Sequence, residues 1–178
     1  MLRSLAVVSL FMVLIAPAAG AEPAGDAPEL NVFRRLVGEW DVEMVVKSGE
    51  NLGNEQTVSG RISSDFILDG RYFQQEVELQ AVGDFPGAKH RTLFTFDKTQ
   101  QTYRHWMFTS SGPMVEGTGS WNGDTKMFTW EAKAEHGITS TSVSTFPEDG
   151  VEEWTVSVKS AEGITFLEFA GKTTRRKP

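Results

Sequence analysis

The residues of this sequence that could do chemistry begin with its three histidines. His90 and His136 fall in predicted loops, whereas His105 lies in an alternating segment, on the face opposite Trp106. No two histidines have the H-x-H or H-E-x-x-H spacing that brings imidazoles onto one metal ion. The sequence also has no cysteine, which excludes disulfides and thiolate ligands. We therefore predict no metal site and no cofactor.

Carboxylates form the second group of chemically capable residues. Glu131 and Glu168 lie in alternating segments, and either could act as a general base if burial raised its pKa. Alternation favours the solvated, outward-facing orientation for both. The sequence has no G-x-S-x-G nucleophile motif. We predict no catalytic residue and favour a protein that is not an enzyme. An acid/base pair such as His105 with Glu131 is the alternative.

Arg104 is a cation that the alternation places among aromatic residues, because it shares a face with Trp106 and Phe108. A guanidinium inside an apolar barrel would need a partner. It could bind the carboxylate of a ligand through two parallel hydrogen bonds. Alternatively, Arg104 lies where the strand begins and reaches solvent while its stem packs on apolar neighbours.

Aromatic residues are abundant and favour an interior binding pocket. Five tryptophans and twelve phenylalanines can line a cavity or simply fill a small barrel. We predict a small apolar or amphipathic ligand, oriented by Arg104 and lined by Phe94, Phe96, Trp106, Phe108 and Trp130. A scaffold with a packed interior that acts through its surface, including as a homodimer, is a further alternative.

Charge makes nucleic acid an unfavourable partner. The net charge is −7, and a negative surface repels phosphate backbones. The one basic run, residues 172–177, lies at the C-terminus and is interpreted as a solvated tail.

The N-terminal residues have the pattern of a secretory signal peptide. Arg3 precedes the apolar run Leu5 to Ile15, and Ala19-Gly20-Ala21 is a small-residue cleavage site. This run is too short to cross a membrane, which takes roughly 20 residues. We predict a signal peptide at 1–21, a flexible linker at 22–28 and a single domain at 29–178. The protein would be periplasmic or secreted, with no membrane span.

A short helix should open the domain. Asp26 is the predicted N-cap and Pro28 lies in the first turn. Leu30, Phe33 and Val37 recur at helical spacing and should form one apolar face.

After Gly38 the hydrophobic period changes from 3.6 to 2, which predicts β-strands. Turn signals such as Asp69-Gly70 and Asn122-Gly123 separate the alternating runs. No helical segment intervenes, so parallel βαβ units are excluded. We predict an all-β fold, an antiparallel up-and-down barrel of about ten strands, closed so that no strand edge is exposed.

The order of several short motifs resembles the bacterial DUF1579 family, within the lipocalin-like calycin folds. These motifs are Leu36-Val37-Gly38-Glu39-Trp40, Leu68-Asp69-Gly70-Arg71-Tyr72, Phe96-Asp97-Lys98, Tyr103, Trp106 and Val115-Glu116-Gly117. The resemblance implies a lipocalin-like barrel with an N-terminal helix closing one end, and no established activity.

The calycin resemblance also implies structural roles for Gly38 and Trp40, with the tryptophan at the base of the barrel. A basic residue from the last strand, here Lys172, Arg175 or Arg176, would pack over its ring. Haem-binding calycins carry an axial histidine near the C-terminal strands. This sequence has no histidine after His136, so haem is not expected.

Overall fold

The computed structural model describes residues 28–49, 54–112 and 114–177. The predicted signal peptide, most of the linker and the Asp26 N-cap lie outside the described residues.

An N-terminal 3₁₀ helix spans Pro28–Leu36, and a short 3₁₀ turn spans Glu135–Gly137. The ten strands are β1 (Gly38–Ser48), β2 (Asn54–Ile67), β3 (Tyr72–Leu79), β4 (Ala88–Asp97), β5 (Thr102–Thr109), β6 (Met114–Asn122), β7 (Met127–Lys133), β8 (Thr139–Thr145), β9 (Val151–Lys159) and β10 (Thr165–Arg175).

The sheet closes on itself. Each strand pairs antiparallel with the next, and β10 pairs with β1 from Trp40 opposite Arg175 to Ser48 opposite Leu167. Closure pairs the two strands that would otherwise be edges, so both ladders of β1 are satisfied. The predicted ten-stranded antiparallel barrel with a short N-terminal helix is confirmed.

The N-terminal helix covers one end of the barrel with a face different from the predicted one. Leu30, Phe33 and Leu36 are buried, whereas Val37 is only half-buried. A 3₁₀ helix has three residues per turn, so positions three apart lie above one another. Val37 lies one residue beyond the helix and packs against the same core while half-buried, so Leu36 holds the fully buried position that was predicted for Val37.

Phe33 is the residue by which the helix enters the barrel. Its ring stacks on Phe73 at 4.9 Å between centroids and on Phe128 at 5.2 Å, both nearly parallel. The Tyr103 ring meets it edge-on, and the Tyr103 hydroxyl donates to the Glu29 carbonyl at 2.9 Å. Aromatic pairs of this kind add to the burial of apolar area. The helix end of the barrel is therefore packed solid.

The two strongest turn signals lie in hairpin loops, but their backbones differ. In the β2–β3 loop, φ is positive at Leu68, Asp69 and Gly70. In the β6–β7 loop, positive φ falls at Lys126 and not at Gly123. The Asn122 side chain instead accepts hydrogen bonds from the backbone N–H groups of Asp124 and Thr125. The turn predicted at Asn122-Gly123 is thus present between β6 and β7, without a positive φ at Gly123.

The β3–β4 connection is folded against the opposite end of the barrel. Phe85 packs against Met44, Val46 and Val58. Its backbone N–H donates to the Gln56 side chain at 3.2 Å. Within the part of the chain that the structure describes, no helix is long and apolar enough to cross a membrane.

Candidate binding site

The barrel contains a cavity of about 250 Å³ next to the end that the N-terminal helix covers. Its walls come from the helix and from strands on all sides, because every second residue of a strand points inward. The lining is mainly aromatic and aliphatic, with a minority of polar groups. The polar lining residues are Gln75, His90, Thr92, His105, Ser142, Ser144 and Glu152.

Two glycines of β6 create the space for His105 and Trp130, two of the rings in the cavity wall. Gly117 is paired with His105 and Gly119 with Trp130 across the two neighbouring strands. A Cβ atom at Gly117 would lie 2.8 Å from His105 Nε2, and one at Gly119 would lie 2.7 Å from Trp130 Cζ3. Real Cβ atoms do not approach so closely. The glycines therefore allow both rings to pack closely against the β6 backbone.

His105 is wedged between aromatic rings. Its centroid lies 5.0 Å from that of Trp130, edge to face, and 5.9 Å from that of Phe94. Burial lowers the pKa of His105 to about 4, only partly offset by the Glu116 carboxylate, so the imidazole is neutral at pH 7. Its Nδ1 atom is buried and has no hydrogen-bond partner among the described residues. A buried polar atom without a hydrogen-bond partner lowers the stability of the protein unless another group forms that hydrogen bond.

Glu152 is the acidic residue of the cavity wall. It precedes Trp154 and Val156 at alternate positions of β9, so it shares their inward face. The residue is half-buried and lines the cavity. Burial raises the pKa of Glu152 to about 7, and a hydrogen bond from Ser144 partly opposes this rise.

The interior is poor in positive charge. No lysine or arginine contributes to the described cavity wall. Burial also lowers the pKa of His90, so neither cavity histidine carries a charge at neutral pH. The cavity is consequently uncharged or weakly negative, according to the protonation of Glu152.

Three predicted pocket residues lie on the outer face of the barrel. Arg104 stacks over Trp106 at 5.1 Å and forms an ion pair with Glu116, while Phe108 is 46% exposed. The inward face of β5 is instead the one that contains His105. The placement of Arg104, Trp106 and Phe108 inside the barrel, with Arg104 orienting an acidic group, was therefore wrong. The second interpretation of Arg104, a solvent-reaching side chain packed on apolar neighbours, describes the structure.

The remaining predicted pocket residues point inward. Phe94 and Trp130 line the cavity, 5.3 Å apart between ring centroids. Phe96 lies deeper, in the packed end of the barrel that the N-terminal helix covers, where its ring meets Tyr103 edge-on at 5.0 Å. The structure thus brings Phe94 and Trp130 together at the site and assigns Phe96 to the packed base.

The two carboxylates singled out in the sequence do not reach the cavity. Glu131 is exposed, and Glu168 is paired across the sheet with Lys47 on the outer face. A catalytic pair of His105 with Glu131 inside the barrel is excluded by this geometry. Sequence reasoning missed Glu152, although its position two residues before Trp154 was the signal for it. Among the described residues, no three His, Asp or Glu side chains converge as a metal site would require.

The base of the barrel is held together by contacts among Gly38, Trp40 and Arg175. The Arg175 guanidinium lies 4.4 Å above the buried Trp40 ring and donates hydrogen bonds to the carbonyls of Arg35 and Val37. Trp40 Nε1 donates to the Leu36 carbonyl at 2.8 Å. Gly38 has φ +118°, which is readily available only to glycine. Of the three cations that the resemblance left open, Arg175 packs over the tryptophan.

Fold and site together define a lipocalin-like barrel: ten antiparallel strands closed around an interior cavity, with an N-terminal helix at the base. The family described as protein of unknown function (DUF1579) matches residues 27–166. The chain belongs to this family.

Solved structures show the same fold in distant proteins. The crystal structure of Rv2717c from M. tuberculosis has a TM-score of 0.66 at 9% identity, over 85% of this chain and 99% of that chain. The S-type phycobiliprotein lyase CPES from Guillardia theta has a TM-score of 0.60 at 11% identity, over 87% of this chain and 96% of that chain. At these identities the likeness establishes the fold alone. Among curated proteins, none matches the chain significantly.

Proposed function

We propose that this protein is a carrier or sensor that binds a small amphipathic molecule without an acidic group inside the barrel. The observation that supports this most strongly is the interior cavity, where the rings of Phe94 and Trp130 contact His105, whose Nδ1 atom has no partner among the described residues. Apolar walls with a few convergent polar groups are typical of ligand sites.

The cavity volume sets the size of the ligand. A cavity of roughly 150 Å³ holds benzene, whereas drug-sized ligands occupy at least about 300 Å³. At about 250 Å³, this cavity fits a one- or two-ring molecule. A long-chain lipid or a large macrocycle would require the barrel to open.

The polarity of the cavity sets the chemical class. A carboxylate ligand would find no cation on the described walls, and burying an unpaired anion is costly. Aromatic lining favours a flat, apolar body, and the serines of β8 and the imidazole of His105 offer hydrogen bonds to polar substituents.

Filling the cavity tests this proposal. Ser142 lines the cavity, and the adjacent Thr141 points out to solvent. With 1-naphthalenemethanol as the probe, calorimetry should detect binding to the wild type and to Thr141→Leu, and none to Ser142→Leu. Equal binding to both variants, or no binding of either this probe or 1-naphthylmethylamine to the wild type, would contradict the proposal.

We also propose that the protein is exported to the periplasm or the medium. The support is the sequence alone, namely the apolar run Leu5 to Ile15 followed by Ala19-Gly20-Ala21. Intact-mass measurement of the protein recovered from the periplasm or medium should show a chain beginning at Glu22. A full-length chain confined to the cytoplasm would overturn it.

A further inference from the structure

We propose that the cavity selects ligands that carry a basic nitrogen, with Glu152 as the counter-charge and the aromatic walls holding the apolar body. This inference rests on the proposed binding function and specifies the ligand class of the same cavity.

The first argument is the sign of the charge inside the barrel. Among the described lining residues, Glu152 is the one group that can carry a full charge at neutral pH, because His90 and His105 are held neutral by burial. An anion would therefore meet only repulsion, while an ammonium group would meet a carboxylate. The interior field discriminates between ligands of the same shape by their charge.

The second argument is that Glu152 lacks a cationic partner in the described protein. Burial disfavours its carboxylate, and Ser144 supplies one hydrogen bond. Buried carboxylates normally lie beside a cation that compensates for their lost hydration. Here the described wall of the cavity contains no lysine or arginine, so a ligand ammonium is the group that would complete the site.

The third argument comes from the rings beside Glu152. Trp154 lies two residues along the same face of β9 and also lines the cavity. Its Nε1 atom donates to Thr173 Oγ1 at 3.0 Å, which fixes the ring in place. Indole faces attract cations, and a carboxylate near an aromatic wall is a common arrangement for recognising amines.

Three probes of one shape but different charge test the inference. They are 1-naphthylmethylamine, 1-naphthalenemethanol and 1-naphthoic acid, titrated by calorimetry at pH 7.5. We expect the amine to bind the wild type about tenfold more tightly than the alcohol, since one charge-assisted pair contributes about that factor. The acid should bind most weakly.

Glu152→Gln and Glu153→Gln form a matched pair, because Glu153 is exposed on the other face of the same strand. Glu152→Gln should bind the amine and the alcohol equally, whereas Glu153→Gln should keep the wild-type preference. If none of the three probes binds the wild type, the proposed binding function fails. If the alcohol binds but the amine binds no better, or if Glu152→Gln keeps the preference, only the charge selection fails.

A measurement on the wild type does not depend on any variant folding. The ¹³C resonance of the Glu152 carboxyl should move to the fully ionised value when the amine is added at pH 7, and should not do so with the alcohol. An unchanged resonance at saturating amine would overturn the pairing.

Discussion

His105 and Trp130 meet edge to face inside the barrel, with ring centroids 5.0 Å apart and planes at 74°. They come from β5 and β7, and β6 lies between these strands. The two rings can meet across it because β6 presents Gly117 and Gly119 to the interior. A strand with larger inward side chains would separate them. The cavity wall therefore depends on two residues that have no side chain.

Gly119→Ala should destabilise the protein. The new methyl group would overlap the Trp130 ring, and overpacking of this kind costs roughly 1–3 kcal/mol. The matched control is Gly123→Ala, because its Cβ would meet its nearest atom at 3.6 Å. Urea unfolding monitored by fluorescence measures both. Equal stability of the two variants would contradict the packing described.

The carboxyl group of Glu152 should make stability fall as the pH rises. Its pKa is raised from 4.5 to about 7 in the folded protein, so the unfolded chain releases this proton first. The resulting penalty is absent below pH 4.5 and grows to roughly 3 kcal/mol near pH 7. Glu152→Gln should therefore gain stability relative to the wild type over this interval. The measurement is chemical denaturation at half-unit steps of pH.

The control for Glu152→Gln is Glu153→Gln, an exposed neighbour. Its stability difference from the wild type should stay within about 0.5 kcal/mol at every pH. A Glu152→Gln variant whose advantage did not change between pH 4.5 and 7 would show that this carboxyl group is solvated.

The imidazole of His105 should act in the opposite direction. Its pKa is lowered from 6.5 to about 4 in the folded protein. The stability that the neutral imidazole contributes is therefore complete above pH 6.5 and is lost as the pH falls towards 4. His105→Asn should thus become more stable relative to the wild type as the medium is acidified, by up to about 3 kcal/mol. His136→Asn, at an exposed position, is the control variant. NMR titration of the His105 ring provides an independent value, and a pKa near 6.5 would refute this prediction.

Arg175→Ala should weaken the base of the barrel. It removes two charge-assisted hydrogen bonds to helix carbonyls and the stacking on Trp40, in an exposed setting, so we expect a loss of about 1–2 kcal/mol. Arg176→Ala is the control, because Arg176 has a surface ion pair with Asp41 at 3.5 Å, and such pairs contribute little. Thermal unfolding should separate the two variants. An equal effect would mean that Arg175 is another surface cation.

Much of the fold could be predicted from the sequence because period-2 alternation and turn residues are local signals. The short N-terminal helix, the strands and the number of strands follow from them. The type of helix could not be predicted from the sequence, because Leu36 and Val37 are both apolar and either could complete the buried face. Only packing against the rings inside the barrel decides between a 3₁₀ and an α-helix.

The orientation of β5 was the main error at the site. Its two faces, one with Tyr103 and His105 and the other with Trp106 and Phe108, are similarly aromatic, so hydrophobicity does not distinguish them. The deciding information lies in the adjacent strand, where glycine pairs with the inward residues. Glu152 was missed because a carboxylate at the start of a strand is ordinarily expected to face solvent. Its position two residues before Trp154 places it on the inward face instead.

A crystal structure with a brominated 1-naphthalenemethanol tests most directly whether the barrel interior is a binding site. The anomalous signal of bromine marks the probe without reference to the protein density. We predict a single strong peak within the cavity, beside Phe94 and Trp130. A peak on the outer face beside Trp106 and Phe108, or a cavity filled by collapsed side chains with no peak, would contradict the proposed site.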